Sequence, residues 1–149
     1  MNYKVRMEKR VIKMVLIFAM AGAFNVPAAF AAEDWLTLPA SAPDITFTID
    51  KASIERHGNI VKFWEKITFD KPKVKDEASG MMIKEKKVHR IMDCADHSQG
   101  VISGATWGEN GRFITAVEFG EAQINMSAIP PGTLAVEELD LVCVSLSKK

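Results

Sequence analysis

Apolar and polar side chains alternate along IVKFWEKITF, the sequence of residues 60–69. One side carries Val61, Phe63, Ile67 and Phe69, and the other carries Lys62, Trp64, Lys66 and Thr68. A period of two is typical of a β-strand with one buried face. We therefore predict a strand over 60–69, and the shorter alternating stretch ITFTID predicts another at 45–50.

A β-hairpin is predicted further along, where residues 101–107 and 112–119 flank Asn110-Gly111. Asn-Gly is the strongest short hairpin signal, because both central residues of the turn need a positive φ. A two-residue turn would pair Trp107 with Ile114, Thr106 with Thr115 and Gly104 with Val117. We expect this hairpin to bring four apolar side chains to the core face, namely Ile102, Phe113, Val117 and Phe119.

Residues 82–94 also predict a strand, although apolar and charged side chains are mixed on its faces. Several lysines and mixed faces are typical of an edge strand, which charged side chains protect against unwanted pairing. An edge strand can add a partner strand, and its lysines would attract an acidic partner. We therefore take its basic residues as a candidate binding surface, namely Lys84, Lys86, Lys87 and Arg90.

A short helix is predicted at residues 134–143, after the Pro130-Pro131-Gly132 break and with Thr133 as its N-cap. The helical repeat places one apolar stripe inward, consisting of Ala135, Val136, Leu139, Val142 and Cys143. The acidic residues Glu137, Glu138 and Asp140 lie outside that stripe. The expected fold class is therefore α+β, an antiparallel β-sheet with a short C-terminal α-helix packed on one face.

The N-terminus has the three parts of a secretory signal peptide. Residues 1–13 hold five basic residues against one acid, residues 14–24 are apolar and uncharged, and Ala29-Phe30-Ala31 forms a cleavage site. An uncleaved membrane anchor is the alternative, because the uncharged run approaches the ~20 residues that a span needs. Its second half contains Asn25 and Pro27, which favours cleavage. We therefore expect only the precursor, before cleavage, to contact the membrane.

Cleavage after Ala31 would leave residues 32–149 as one domain, with 14 basic and 18 acidic residues and a net charge of −4. We expect this form in the periplasm, in the medium or at the cell surface. No cysteine lies near the cleavage site, so we expect no lipid anchor. The near-zero net charge of the whole chain, with 19 basic and 19 acidic residues, argues against a nucleic-acid partner.

Both cysteines, Cys94 and Cys143, lie in the exported part. An even count in an oxidising compartment favours a disulfide between them, and two buried free thiols are the alternative. Cys143 is expected on the inward side of the helix, where a cysteine from a strand can meet it. A bridge that closes so long a loop contributes about 4 kcal/mol in the chain-entropy model.

No group of residues predicts a reaction, a metal site or a cofactor site. Residues 93–97 (DCADH) lack a second spaced pair of metal ligands, and the three histidines of the chain are scattered. No serine or cysteine stands in the sequence context of a catalytic nucleophile. Residues 104–108 (GATWG) lack the Lys-Ser/Thr that follows a phosphate loop. We expect no catalytic residues, no metal ligands and no cofactor.

Several short motifs follow one another along the chain: Trp35, Ile49-Asp50-x-x-Ser53-Ile54-x-x-x-Gly58, Val61, Trp64, Asp93-Cys94, Pro131-Gly132-Thr133, Glu137 and Val142-Cys143. This layout resembles the surface-adhesin protein E family of Gram-negative bacteria over residues 35–143. The resemblance implies an antiparallel sheet with a C-terminal helix held on one face by a Cys94–Cys143 disulfide. The sequence departs from the family's lipoprotein adhesin in having no lipobox cysteine.

The resemblance also implies a binding protein outside the cytoplasm, because the adhesin that gives the family its name binds host matrix and serum proteins. We therefore predict an exported, non-enzymatic envelope or secreted protein that binds a macromolecule, either a protein or an acidic polysaccharide. Homodimer formation is compatible with this function. The alternative function is that of a small periplasmic enzyme or small-ligand carrier, for which a deep pocket with converging titratable groups is expected.

Overall fold

An antiparallel β-sheet dominates the computed structural model, which describes residues 33–39, 41–72 and 74–146. Within these residues the strands are β1 Trp35–Thr37, β2 Ile45–Asp50, β3 Glu55–His57, β4 Ile60–Phe69, β5 Ile83–Asp93, β6 Ser98–Gly108, β7 Phe113–Glu118 and β8 Ser127–Ala128. The sheet runs in the order β1-β2-β4-β5-β6-β7, while β3 pairs with β4 and β8 pairs with β6. The predicted signal peptide, residues 1–31, lies outside the described residues.

The two strands predicted from alternation are confirmed, with bounds identical to the predicted ones. Val61 and Phe63 on β4 are fully buried, and so is Ile49 on β2. They form the core with four more apolar residues, namely Leu38, Met92, Leu139 and Val142. The apolar side of the alternating stretch therefore is the core side, as a period of two requires.

The prediction that residues 82–94 form an edge strand was wrong, because β5 lies in the interior of the sheet between β4 and β6. These three strands are ten or eleven residues long, so neighbouring strands occupy both hydrogen-bonding edges of β5. Its lysines project from the faces of the sheet and not from an edge. The terminal strands are β1 and β7.

The hairpin between β6 and β7 turns where the sequence predicts it. Asn110 and Gly111 have φ of 59° and 69°, the positive values that the turn requires. The predicted pairs Thr106–Thr115 and Gly104–Val117 are present, but Trp107 pairs with Phe113 instead of Ile114. A β-bulge shifts the register at that point, since one strand has an extra residue.

The prediction that this hairpin faces the core was wrong. Phe113, Val117 and Phe119 are 59%, 49% and 39% exposed. The helix packs over β2, β4 and β5, which supply the buried core residues, and β7 is the terminal strand. Position in the sheet, and not side-chain character, leaves these apolar groups in contact with solvent.

The C-terminal helix, α1, spans Leu134–Asp140 and continues as a π-helical turn over Leu141–Ser145. The predicted fold class is confirmed, and a disulfide joins Cys94, just after β5, to Cys143 with 5.8 Å between their Cα atoms. Thr133 occupies the N-cap position, but its hydroxyl donates to the Pro130 carbonyl and leaves the helix without a side-chain cap. No described helix has the length and apolarity that a bilayer span needs.

Candidate binding surface

The face of the sheet opposite α1 carries a cluster of aromatic and basic side chains. Phe63 and Glu65 on β4 point under the helix, so their neighbours Trp64 and Lys66 point the other way. The register pairs Trp64 with His89 and Lys66 with Lys87 across β4 and β5. Trp35 on β1 joins them. We call this set, Trp35, Trp64, Lys66, Lys87 and His89, the open face; all five side chains are half-buried.

Trp35 lies between two ammonium groups and a carboxylate. Lys66 Nζ is 4.2 Å from the centre of the Trp35 ring, and Lys87 Nζ is 5.6 Å from it, so both make cation–π contacts. Trp35 Nε1 donates to Glu33 Oε2 at 2.8 Å, and Lys87 Nζ donates to Glu33 Oε1 at 3.3 Å. These donors, Trp35 first and Lys87 second, lower the pKa of Glu33. These contacts fix the position of the Trp35 ring.

Trp64 and His89 stack in the middle of the open face. Their ring centres are 4.7 Å apart and their planes differ by 8°. Burial lowers the pKa of His89, and the nearby Glu55 carboxylate opposes that effect. The imidazole is therefore neutral near pH 7, and the stacked pair presents an uncharged aromatic surface between flanking lysines.

A shallow cleft of about 190 Å³ separates the two tryptophans, and its lining includes Glu33, Asp50 and Lys87. The cleft is smaller than the roughly 300–1,000 Å³ of small-molecule sites. Tryptophan rings are frequent anchors of protein interfaces, and polar or charged side chains form the rim around such anchors. The arrangement therefore suits contact with a large, flat partner.

The four predicted binding residues are not brought together on one surface. Lys87 belongs to the open face, whereas Arg90 points toward α1 and pairs there with Glu65 and Glu138. Lys86 lies opposite Ile67, on the helix side of the sheet. Lys84 is the extra residue of a β-bulge, and its Nζ donates to the Asp70 carbonyl. Neighbouring residues of a strand point to opposite faces, which separates the set.

A buried polar cluster, which was not predicted from the sequence, lies between the helix and the sheet. Arg90 Nε donates to Glu65 Oε2 at 2.5 Å and lies 3.8 Å from Glu138 Oε2. Glu65 is fully buried and Glu138 is 1% exposed, so the prediction that Glu138 lies outside the buried stripe was wrong. Burial and then the charge of Glu65 raise the pKa of Glu138 to about 9. Glu138 is thus held as a neutral acid near the charge of Glu65.

Residues 93–97 form a turn next to the disulfide. Asp93 Oδ1 accepts hydrogen bonds from the backbone N–H groups of Ala95 and Asp96. Cys94 is occupied by its bond to Cys143. In the part of the chain that the structure describes, no group of three or more His, Cys, Asp or Glu side chains is placed to hold a metal ion.

Comparison with known proteins gives the family. A profile of the family described as Surface-adhesin protein E matches residues 35–144, which include nearly all of the described chain. The chain belongs to the surface-adhesin protein E family. The resemblance predicted from the order of its motifs is confirmed. No curated protein matches the chain in sequence.

Solved structures with the same fold include protein E of Haemophilus influenzae. That structure is 16% identical with a TM-score of 0.54, and the match covers 77% of this chain and 87% of the other. Its selenomethionine form is 13% identical with a TM-score of 0.54, covering 76% and 88%. At these identities the similarity shows the fold. Binding by this chain has to be argued from its own surface.

Proposed function

We propose that this protein is an exported, non-enzymatic member of its family that binds a macromolecular partner through the open face. The observation that carries the proposal is the row of Trp35, Trp64, Lys66, Lys87 and His89 on the side of the sheet that α1 leaves uncovered. Membership of an adhesin family supports a binding role outside the cytoplasm. A signal peptide at residues 1–31 would deliver the protein there.

The chemistry of the open face favours an acidic partner. Lys66 on β4 lies opposite Lys87 on β5 in the strand register. Lys62 lies on the same side of β4 as Lys66. The neutral Trp64–His89 stack lies between them and supplies apolar area. Tryptophan gives interfaces much of their binding free energy, while lysines at the rim steer an acidic partner and make binding weaken as salt rises.

Capture of a partner with matched variants tests this proposal. The exported protein, immobilised, is incubated with envelope extract and with extracellular matrix proteins, and the bound material is compared among variants. Trp64→Ala and the double variant Lys66→Glu with Lys87→Glu should lose the partner. Lys71→Glu is the control, because Lys71 is an exposed lysine that pairs with Asp44 away from the open face.

The capture experiment can either support or contradict binding through the open face. Loss of one specific partner in both open-face variants, with retention in Lys71→Glu, supports the proposal. Equal capture by all variants, at both low and high salt, contradicts it. Thermal unfolding checks that every variant is folded. Lys71→Glu should unfold like the wild type, because exposed ion pairs contribute about 0–1 kcal/mol. Trp64→Ala removes a half-buried stacked ring and should unfold at a lower temperature.

A further inference from the structure

A second cavity, outside the open face, lies where β5 and β6 meet residues 119–127. Its volume is about 280 Å³, close to the lower limit of roughly 300 Å³ for small-molecule sites and suited to one sugar-sized ligand. Its lining combines a guanidinium, amides and an aromatic ring, contributed by Arg90, Gln99, Gln123, Asn125 and Phe119. This composition differs from that of an apolar packing defect.

Arg90 is held in place at one end of its guanidinium and lines the cavity. Its Nε donates to the buried Glu65, and its side chain is 19% exposed. Within the described residues, no hydrogen bond engages its two Nη groups. A planar fork of free N–H donors binds a carboxylate through two parallel hydrogen bonds. The cavity therefore presents an oriented carboxylate-binding group.

The amide side chains complement the hydroxyl groups of a ligand. Among the described residues, none donates a hydrogen bond to the buried Gln99 Oε1, which is a costly state that a ligand hydroxyl would relieve. Gln123 Oε1 accepts from the Gly120 N–H at 3.1 Å, so its amide nitrogen is left to donate. Phe119, at the same wall, offers an apolar ring to the C–H groups of a sugar.

The wall formed by residues 119–127 is fixed against the sheet. A Cβ at position 100 would lie 2.9 Å from Met126 Sδ and 3.2 Å from the Asn125 carbonyl, so Gly100 lets this segment pack closely on the sheet and a larger residue would push it outward. The Phe119 N–H donates to the Ile102 carbonyl at 2.8 Å, and β8 anchors the other end of the segment on β6. A cavity with fixed walls avoids the entropy cost of ordering them on binding.

We propose that this cavity binds a single sugar unit that carries a carboxylate, as uronic and sialic acids do. Arg90 holds the carboxylate, Gln99 and Gln123 hydrogen-bond to the ring hydroxyls, and Phe119 contacts the apolar side of the ring. The site does not depend on the open face, because it involves different residues and adjoins the helix side of the sheet. Loss of one site leaves the other testable.

The test is an NMR titration of the ¹⁵N-labelled exported protein with four probes. Two are acidic sugars, methyl glucuronide and the methyl glycoside of N-acetylneuraminic acid, and two are controls, methyl glucoside and acetate. At least one acidic sugar should shift the amide signals of residues 99–101 and 119–127, with a Kd of about 1 mM or tighter. No shift from either acidic sugar at about 10 mM, or equal shifts from acetate or the glucoside, would overturn the proposal.

Two variants separate the site from folding. Arg90→Lys keeps the charge but loses the fork, and it should weaken acidic-sugar binding at least about tenfold. Because Arg90 also pairs with Glu65, Gln123→Ala on the exposed wall provides a second variant, with an expected weakening of about threefold to tenfold. Thr115→Ala, on β7 and outside the cavity, is the control. Unchanged affinity in a folded Gln123→Ala protein and in Arg90→Lys contradicts the proposal.

Discussion

At the scale of single residues, the buried carboxyl pair Glu65 and Glu138 has the largest expected effect on stability. Glu65 comes from β4, Glu138 comes from α1, and the guanidinium beside them belongs to Arg90 on β5. One positive charge does not balance two negative charges in a buried site, so the pair retains a proton. The attachment of the helix to the sheet is therefore linked to pH.

The sign of this linkage follows from the raised pKa of Glu138, which moves from 4.5 to about 9 in the folded state. Between these values the folded protein holds a proton that the unfolded chain has released, so stability falls as pH rises. Below the ordinary pKa the contribution is fully present, and above about pH 9 it is lost. Urea unfolding should give a lower free energy at pH 8.5 than at pH 5.5.

Glu138→Gln should stabilise the protein at pH 8.5 and flatten this dependence, because an amide keeps the shape of the neutral acid without releasing a proton. We expect a gain of roughly 1–3 kcal/mol in the free energy of unfolding. Asp140→Asn is the matched control, since Asp140 is an exposed acid on the same helix. A variant with wild-type pH dependence would show that Glu138 does not hold the proton.

Part of this cluster was accessible from the sequence. Residues 135, 138, 139 and 142, all buried except for a few per cent of their surface, follow the i, i+3, i+4, i+7 spacing of a buried helix face. The prediction omitted Glu138 from that face because it is charged. Its partners come from two strands distant in sequence, so no local pattern shows that a charge there is satisfied.

At the scale of elements, alternation predicted β2 and β4 to the residue, and Asn-Gly predicted the turn before β7. These signals are local, since each depends on the backbone of one segment. The edge prediction for β5 and the core prediction for Phe113 failed for one reason. Both depend on which strands become neighbours and on where the helix packs. Pairing between segments that are distant in sequence determines the strand order and the position of the helix.

The disulfide between Cys94 and Cys143 is the element that ties the short helix to the sheet. The cysteines are 49 positions apart, and in the chain-entropy model a loop of that length contributes about 4 kcal/mol. Cys143→Ser should therefore lower the free energy of unfolding by about 2–5 kcal/mol, measured by chemical unfolding under non-reducing conditions.

Cys94→Ser and the double variant serve as controls for that measurement. All three proteins lack the same bond, so their losses should agree within about 1 kcal/mol. Wild-type stability in Cys143→Ser, or two thiols that react with an alkylating reagent in the native exported protein, would contradict a structural role for the disulfide.

At the scale of the whole molecule, the sheet has one side covered by α1 and one side left open. The covered side holds the apolar core and the buried carboxyl pair. The open face holds the stacked Trp64–His89 pair and the cation–π contacts of Trp35. The contacts that stabilise the fold thus lie on one side of the sheet, and the surface available for binding lies on the other. Members of a family can therefore share the fold while their binding surfaces differ.

Export with cleavage of the predicted signal peptide after Ala31 would leave Ala32 as the N-terminus of the mature protein. Residues 1–31 have the basic, apolar and small-residue parts that signal peptidase recognises. N-terminal sequencing of the protein from periplasm and medium should read Ala32-Glu33-Asp34. Recovery of intact Met1 in the membrane fraction would instead support the uncleaved anchor.

Hydroxyl-radical footprinting of the protein, with and without its captured partner, tests whether the partner binds the open face. Oxidation of Trp35 and Trp64 should fall in the complex, because the partner covers the open face. Phe113, exposed at the other end of the sheet and outside the sugar cavity, should oxidise as in the free protein. Unchanged oxidation of Trp35 and Trp64 in the complex, with protection at Phe113, would contradict binding through the open face.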